Sequence, residues 1–135
     1  MSRVLKRILA TVSVLAGLGL ITGTSALAQT PPDVSGTWRG TLVAAQYDPI
    51  EIVFHIEGSA SGYSATLDIP AQARTGVRVD SVSIRGSNIM IRMNGIQAEY
   101  YAGLVRAEDG ISIEALDGDW GQSGEHTPLR MLREP

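Results

Sequence analysis

The chain has 135 residues, a formal net charge of −3, no cysteine and 5% aromatic residues. A chain of this length can hold one small domain with a single hydrophobic core. The lack of cysteine excludes disulfides, thiolate metal sites and thiol chemistry, so packing alone must stabilise the fold.

The first 28 residues have the features of a removable signal peptide. Met1–Arg7 is a basic start, Ile8–Thr24 is an apolar run, and Ser25–Ala28 ends in an A-x-A cleavage pattern. The apolar run is shorter than the roughly 20 residues that a membrane-spanning helix needs. We therefore expect a signal peptide over residues 1–28, a periplasmic or secreted protein, and no stable membrane anchor after cleavage.

The part that remains after this cleavage is acidic. Residues 29–135 hold eight arginines, no lysine and 14 acidic residues, which gives a net charge of −6. A net negative surface disfavours nucleic acid and anionic lipid headgroups as partners. The charge selects no other partner by itself.

Residues 29–35 are predicted to be a flexible lead-in, and residues 36–135 a β-barrel domain. In this domain short strand signals alternate with turn signals, and no helical periodicity is found. Asn94-Gly95 predicts a tight hairpin turn, because both central positions of that turn favour positive φ. We also expect a bend at Gly118. The predicted strand segments are 37–43, 50–57, 63–69, 77–84, 89–93, 98–105, 111–122 and 128–133.

The apolar phase changes within the fourth segment, between Val79 and Val82. A β-bulge near Asp80-Ser81 reconciles the two halves. No helix is predicted that could cover the apolar face of an open sheet. Closure into a barrel, or folding into two packed sheets, buries that face and protects the sheet edges. We therefore predict an all-β fold, an antiparallel closed or flattened β-barrel of about eight strands, mostly in meander order.

The two tryptophans, Trp38 and Trp120, each follow a glycine by two residues and lie near opposite ends of the mature chain. We expect the first and last strands to meet where the two indoles lie, with the indoles plugging the barrel. Arg133 or Arg130 on the last strand can place its guanidinium over one indole. Two interpretations stay open: both tryptophans are core residues, or one of them lines a ligand-binding mouth.

Asp68 and Gln72 flank Pro70, where the apolar alternation stops. They form either a rim loop that contacts a ligand or partner, or a strand end whose side chains satisfy nearby amides. Arg74 and Arg78 follow closely and can bind an acidic group. The candidate ligand-binding residues are therefore Trp38, Asp68, Gln72, Trp120, Gln122 and Arg133.

The two histidines are the other candidates for chemistry. His55 and Glu57 share the outward face of their strand, but the sequence places no third metal ligand beside them. Ser123 and His126 lie close to two aspartates, although the members of a catalytic triad usually converge from separate elements. No G-x-S-x-G nucleophile elbow is present. We predict no catalytic residue, no metal site and no cofactor.

Six short motifs follow one another in an order that resembles one known module. The six motifs are Gly36–Leu42, Val53–Ile56, Asp68–Gln72, Tyr101–Leu104, Trp120–Gln122 and Pro128–Arg133. They resemble the β-barrel domain that precedes the α/β-hydrolase domain in some exported bacterial esterases and peptidases, which implies the same fold here. The sequence departs from that pattern in two ways, because it carries no hydrolase domain and Ile111–Ala115 looks like an insertion. The G-x-W of Trp38 with a late arginine is also similar to lipocalins.

The predicted function follows from the predicted fold. We expect an exported, non-enzymatic β-barrel module that binds a small apolar ligand or a protein partner. A barrel of eight strands leaves an interior just large enough for side chains or one small ligand. Two alternatives stay open, an accessory domain that acts with a separate hydrolase partner, and a hydrolase in its own right.

Overall fold

The computed structural model describes residues 31–135, so the predicted signal peptide lies outside the described residues. Within residues 31–135 the chain forms nine strands and two single 3-10 turns, with no α-helix. No helix in this range is long and apolar enough to cross a membrane. The strands are β1 (Gly36–Leu42), β2 (Ile50–Ser59), β3 (Gly62–Ile69), β4 (Arg74–Arg78), β5 (Ser81–Arg85), β6 (Asn88–Met93), β7 (Ala98–Arg106), β8 (Ile113–Gln122) and β9 (Glu125–Arg133).

The nine strands form one antiparallel sheet in the order β4-β3-β2-β1-β9-β8-β7-β6-β5. The sheet is curled into an open half-barrel. All neighbouring strands are also consecutive in the chain except β1 and β9, which meet where Trp38 lies opposite Arg133. The all-β class, the meander order and the meeting of the first and last strands are thus confirmed.

The predicted closed barrel of eight strands is wrong. The segment predicted as one strand over residues 77–84 is two strands, because β4 pairs with β3 and β5 pairs with β6 on the other side. Between them Asp80 donates its backbone N–H to the Arg92 carbonyl and accepts the Asn94 N–H with its carboxylate at 2.6 Å. β5 lies close to β3 without pairing with it, so the sheet stays open along this line.

The core shows how strongly the sheet curls. The ring of Phe54 on β2 stacks on Tyr100 of β7 with the centroids 6.0 Å apart, and lies 6.4 Å from Trp120 of β8. β2 and β7 are separated by three other strands in the sheet, so only a curled sheet brings them face to face. The Tyr100 hydroxyl donates to the Leu129 carbonyl at 2.7 Å, which ties β7 to β9 inside the core. The space between the two ends of the half-barrel is therefore occupied by one continuous cluster of side chains.

The inward faces agree with the alternation in the sequence. On β2, Ile52, Phe54 and Ile56 are buried in the core. Val53 points outward but is also buried, because its cross-strand neighbours Arg39 and Asp68 flank it on β1 and β3. Outward positions can therefore be shielded by long polar neighbours, which alternation alone does not predict.

Two similar 3-10 turns connect β3 to β4 and β6 to β7. They are Pro70–Gln72 and Asn94–Ile96, each followed by one residue with left-handed φ, Ala73 at 51° and Gln97 at 53°. The β6–β7 hairpin is confirmed, but the predicted two-residue turn with positive φ at Asn94-Gly95 is wrong. The strand register leaves four residues in this loop, and longer hairpin loops are usually built around a right-handed turn.

Residues 31–35 lack regular secondary structure but pack against the barrel. The Val34 side chain is fully buried in the core, and the Val34 carbonyl accepts the indole N–H of Trp38 at 2.9 Å. The Pro32 carbonyl accepts the hydroxyl of Tyr63 at 2.7 Å. The lead-in that was expected to be flexible over residues 29–35 is therefore anchored in the part that the structure describes.

Candidate functional site

The two tryptophans pair with opposite ends of β9. Trp38 is directly opposite Arg133, whereas Trp120 is directly opposite Thr127, six residues or roughly 20 Å of extended strand away. The first and last strands meet as expected, and both indoles belong to one core cluster. The Phe54 ring connects them, because Phe54 is opposite Trp38 in the β1–β2 pair and lies 6.4 Å from the Trp120 ring. We call the end around Trp38 the sealed end and the end around Trp120 the mouth.

The sealed end is closed by the lead-in and by the last residue of β9. The Arg133 guanidinium carbon lies 4.7 Å from the centroid of the Trp38 ring, and the same guanidinium donates a hydrogen bond to the Asp33 carbonyl. Hydrogen bonds from the hydroxyl and N–H of Ser35 hold the pKa of the Asp33 carboxyl below its usual range. Of the two arginines expected over an indole, Arg133 is therefore the one, and Arg130 instead pairs with an aspartate on β8.

The mouth holds two adjoining lobes that share their floor. The wider lobe has a volume of about 350 Å³ and the narrower lobe about 240 Å³. Tyr47 and two acids, Asp48 and Glu125, line only the wider lobe, whereas Arg74 and Ile96 line only the narrower one. The residues that line both lobes are Leu42, Ile50, Gln72, Trp120 and Gln122.

The strand ends explain why apolar groups are accessible at the mouth. Leu42 is the last residue of β1 and Ile50 the first residue of β2, and both side chains point inward. They pack on the edge of the core cluster yet stay half-buried, because the barrel wall ends at this level. Other lining residues come from the connection between β1 and β2, the two 3-10 turns and the β8–β9 hairpin. Inward alternation that continues to the end of a strand therefore leaves an apolar rim.

Gln122 ties together the parts of the mouth. Its side-chain oxygen accepts the indole N–H of Trp120 at 3.2 Å, and its side-chain nitrogen donates to the Ile96 carbonyl at 2.9 Å. The indole itself is 4% exposed, so its ring belongs to the core while its edge contributes to the floor. Trp38 is therefore a core residue, and Trp120 is a core residue whose edge lines the mouth. That the mouth binds a ligand stays a prediction.

The six candidate ligand-binding residues separate into three groups. Gln72, Trp120 and Gln122 come together at the mouth. Trp38 and Arg133 lie at the sealed end, away from these lobes. The sixth, an aspartate of β3, lies on the outer face.

Asp68 is on the outer face because its neighbours Leu67 and Ile69 point into the core. One of its carboxylate oxygens accepts the Gly76 N–H at 2.8 Å, and the other lies 2.7 Å from Nε2 of His55. The bond from Gly76, and next the one from His55, lower the pKa of the Asp68 carboxyl. This geometry agrees with the interpretation that Asp68 satisfies a nearby amide.

The sequence did not predict that His55 connects three strands on the outer face. Its Nδ1 lies 3.3 Å from the Thr37 hydroxyl on β1, and its Nε2 faces Asp68 on β3. A hydroxyl, an imidazole and a carboxylate in this order can activate a nucleophile. Such a nucleophile also needs hydrogen-bond donors aimed at the developing oxyanion. Thr37 and His55 are directly opposed in the β1–β2 pair, so the backbone groups around the hydroxyl serve the sheet. We therefore interpret Thr37, His55 and Asp68 as a row of side-chain contacts that links β1, β2 and β3.

The other sequence candidates for chemistry are not assembled in the described part of the chain. No hydrogen bond within residues 31–135 joins Ser123 or His126 to Asp117 or Asp119. Asp117 instead lies 3.2 Å from the guanidinium of Arg130. Across the same residues, no group of three histidine, aspartate or glutamate side chains is placed to hold a metal ion.

Comparison of the chain with protein-family models, with curated proteins and with solved structures finds no match in any of the three. The resemblances to the hydrolase-leading barrel domain and to lipocalins therefore stay predictions.

Proposed function

We propose that this protein is an exported, non-enzymatic binding module that takes one small, largely apolar ligand at the mouth. The observation that carries the proposal is the pair of lobes over Trp120, where Leu42 and Ile50 present apolar side chains to the opening. Ligand sites are typically concave and mostly apolar with a few polar groups that fix orientation. The export part of the proposal rests on the signal-peptide pattern of residues 1–28.

The packing of the interior limits where such a ligand lies. Phe54 and Tyr100 occupy the middle of the half-barrel, so the ligand rests in the mouth and does not penetrate deeper. Its apolar body contacts the shared floor, and its polar groups meet the side chains of Gln72 and Gln122. A compact ligand with one polar end fits these lobes better than a long chain.

The test uses the processed protein, residues 29–135, and N-phenyl-1-naphthylamine, a small neutral apolar fluorophore. In a Trp38→Phe variant the only indole is Trp120, so energy transfer from tryptophan to the fluorophore reports binding from a single donor at the mouth, and the matched variants below locate the site. We expect saturable transfer with a Kd of roughly 0.1 mM or tighter for a ligand of this size. Absence of saturable transfer, with the variant folded by circular dichroism, contradicts the proposal.

A matched pair of variants locates the binding. Leu42→Gln makes the floor polar, and Ile111→Gln makes the same kind of change at a side chain that is 77% exposed on a distant loop. We expect Leu42→Gln to weaken binding at least fivefold, because it removes apolar contact area. Ile111→Gln should leave the affinity unchanged. Equal effects would show that the fluorophore binds elsewhere.

The two alternatives stay predictions. An accessory domain would bind a separate hydrolase through another surface, and the Leu42→Gln change at the mouth would not affect that binding. A hydrolase would turn over p-nitrophenyl esters, and the Thr37 hydroxyl beside His55 is the group to remove. Turnover that Thr37→Val abolishes, with an unchanged fold, would favour the hydrolase over the binding module.

A further inference from the structure

The arginines differ in whether they have a partner. Within residues 31–135, five of the eight form an ion pair with a carboxylate or donate to a carbonyl, and these five are Arg39, Arg78, Arg106, Arg130 and Arg133. The other three have no carboxylate within ion-pair distance in the same part of the chain. These three are Arg74, Arg85 and Arg92, on β4, β5 and β6.

Positive and negative residues are also distributed unevenly along the chain. Residues 70–98, which comprise β4 to β6 and the two 3-10 turns, hold four arginines and one acid, Asp80. The carboxylate of Asp80 is already occupied by the Asn94 N–H and by Arg78. The remaining described residues hold four arginines and 13 acids. This stretch of an acidic molecule therefore carries a net positive charge, and the nearest acid outside it is Glu99, directly opposite Arg92.

Two of the partnerless arginines flank one cleft on the outer face. The cleft has a volume of about 470 Å³, and both Arg85 and Arg92 line it. Between them lie Met90 and Tyr101, and the Tyr101 side chain is 49% exposed. On the β5 side the cleft is lined by two small residues, Ser81 and Ser83. We call Ser81, Ser83, Arg85, Met90, Arg92 and Tyr101 the cationic face.

Strand register gives the spacing on the cationic face. Arg85 is opposite Asn88, and Asn88 and Arg92 are four residues apart on β6. The Cα atoms of Arg85 and Arg92 are therefore roughly 13 Å apart along the strand direction. Met90 lies midway between them and directly opposite Tyr101. The face thus alternates cation, apolar group and cation.

We infer that the cationic face binds an extended acidic segment of a partner protein, with two carboxylates four residues apart and an apolar residue midway. An extended peptide has the same rise per residue as a strand, so its side chains at i, i+2 and i+4 match this spacing. Methionine, tyrosine and arginine are also enriched at protein interfaces, and here Met90 is half-buried while Tyr101 and both arginines are exposed. The inference goes beyond the mouth and does not depend on it.

Edge protection and polyanion binding both account for these arginines less well than a short acidic segment does. Charged side chains often protect edge strands from aggregation, but Arg92 lies on β6, which pairs on both sides. An exposed Tyr101 beside Met90 also adds apolar surface, which edge protection does not need. Glu99 on β7 is directly opposite Arg92, and Asp119 on β8 is directly opposite Tyr101. A long polyanion such as nucleic acid would meet both acids, whereas a short segment that runs along β5 and β6 meets only Glu99.

The experiment measures fluorescence anisotropy of a labelled peptide, Ser-Glu-Ser-Leu-Ser-Glu-Ser, on titration with the processed protein at low salt. The control peptide has the same composition with its two glutamates adjacent. We expect saturable binding with a Kd below about 1 mM, and binding of the control peptide at least threefold weaker. No binding at about 1 mM protein, or equal binding of both peptides, overturns the inference.

Single-arginine variants supply the second readout. Arg85→Gln and Arg92→Gln should each weaken binding about two- to fivefold, as expected for exposed ion pairs. Arg130→Gln is the matched control, because it removes one exposed outward arginine and changes the net charge equally. An effect of Arg130→Gln as large as that of Arg85→Gln would show general charge attraction and overturn the inference. All three side chains lie on the surface, so urea unfolding should confirm that each variant folds.

Discussion

The two ends of the half-barrel use a tryptophan in different ways. At the sealed end the Trp38 indole N–H donates to a main-chain carbonyl, and Arg133 covers the ring. At the mouth the Trp120 indole N–H donates to the side chain of Gln122. Residues 31–35 are packed over the first ring, and no equivalent segment covers the second in the described structure. The Trp38 indole is therefore enclosed by backbone and by the Arg133 guanidinium, whereas the Trp120 indole keeps one edge at the mouth.

If the proposed function is correct, stability and binding are divided between the two ends. A buried donor that loses its partner costs more than a donor near solvent, which water can satisfy. The sealed end, with Val34 fully buried and its carbonyl bonded, is the costlier end to disturb. The mouth keeps apolar groups at Leu42 and Ile50 that a ligand can still bury. We therefore expect changes at the sealed end to reduce stability, and changes at the mouth to reduce binding.

The largest effect should come from replacing each tryptophan by phenylalanine. Trp38→Phe leaves the Val34 carbonyl without its donor, removes the contact with Arg133 and leaves a cavity, so we expect a loss of about 2–4 kcal/mol. Trp120→Phe also leaves a cavity, but its lost bond is to a side chain at the mouth that water can replace, so we expect about 1–2 kcal/mol. Urea unfolding followed by circular dichroism measures both. A larger loss for Trp120→Phe would reverse the expected order of the two ends.

The next effect concerns Tyr100, which lies between the two ends and donates to the Leu129 carbonyl. Tyr100→Phe should lower the free energy of unfolding by about 1 kcal/mol at neutral pH. Burial, and next the negative charges of Asp117 and Asp119, raise the pKa of the Tyr100 phenol far above its usual value. The folded state therefore holds the Tyr100 proton more tightly than the unfolded state does. This contribution to the free energy of unfolding is fully present below the unfolded-state pKa of about 10, and it is lost as the pH rises above that value.

The corresponding measurement is urea unfolding between about pH 8 and pH 11. Above about pH 10 the stability of the wild-type protein should fall, and that of Tyr100→Phe should fall less steeply. The sign follows because the unfolded state releases its tyrosine proton first. Equal slopes for the two proteins would show that Tyr100 does not cause the alkaline loss.

The smallest effect should appear beside the mouth, at the edge strand β4. Asp68→Asn weakens the acceptor of the Gly76 N–H, so we expect faster hydrogen exchange at that amide with little change in the unfolding midpoint. Because the pKa of Asp68 is lowered in the folded state, acidification through that pKa should have the same local effect. The indole N–H of Trp38 at the sealed end is the internal control. Equal acceleration of both would show that the two ends do not open independently.

Local patterns predicted most of the strands. Alternation in Ile50–Glu57 indicated the inward face of β2. The β-bulge predicted near Asp80-Ser81 is wrong, because the phase change between Val79 and Val82 is the gap between β4 and β5. The bend expected at Gly118 stays a prediction, and the structure shows instead a close approach there, since a Cβ would overlap the Tyr101 carbonyl. These features are short-range, since each depends on residues that are neighbours along one strand or across one pair.

The candidate site was predicted only in part. Gln72, Trp120 and Gln122 do meet, but the contact between Gln122 and Ile96 joins residues 26 positions apart. The pairing of His55 with Asp68 depends on the register of the β2–β3 hairpin, and its offset of two residues is diagonal across that pair. Sequence patterns indicate the face of a side chain but not its neighbours on the next strand.

By itself the sequence determined an all-β chain of alternating strands without disulfides, because side-chain periodicity and turn residues act locally. It also determined that the first and last strands of the domain would meet. Only the tertiary structure decided that residues 77–84 split between two sheet edges, and that Trp38 and Trp120 pair with opposite ends of β9. Those outcomes depend on strand register and sheet curl, which arise from packing between residues far apart in the chain.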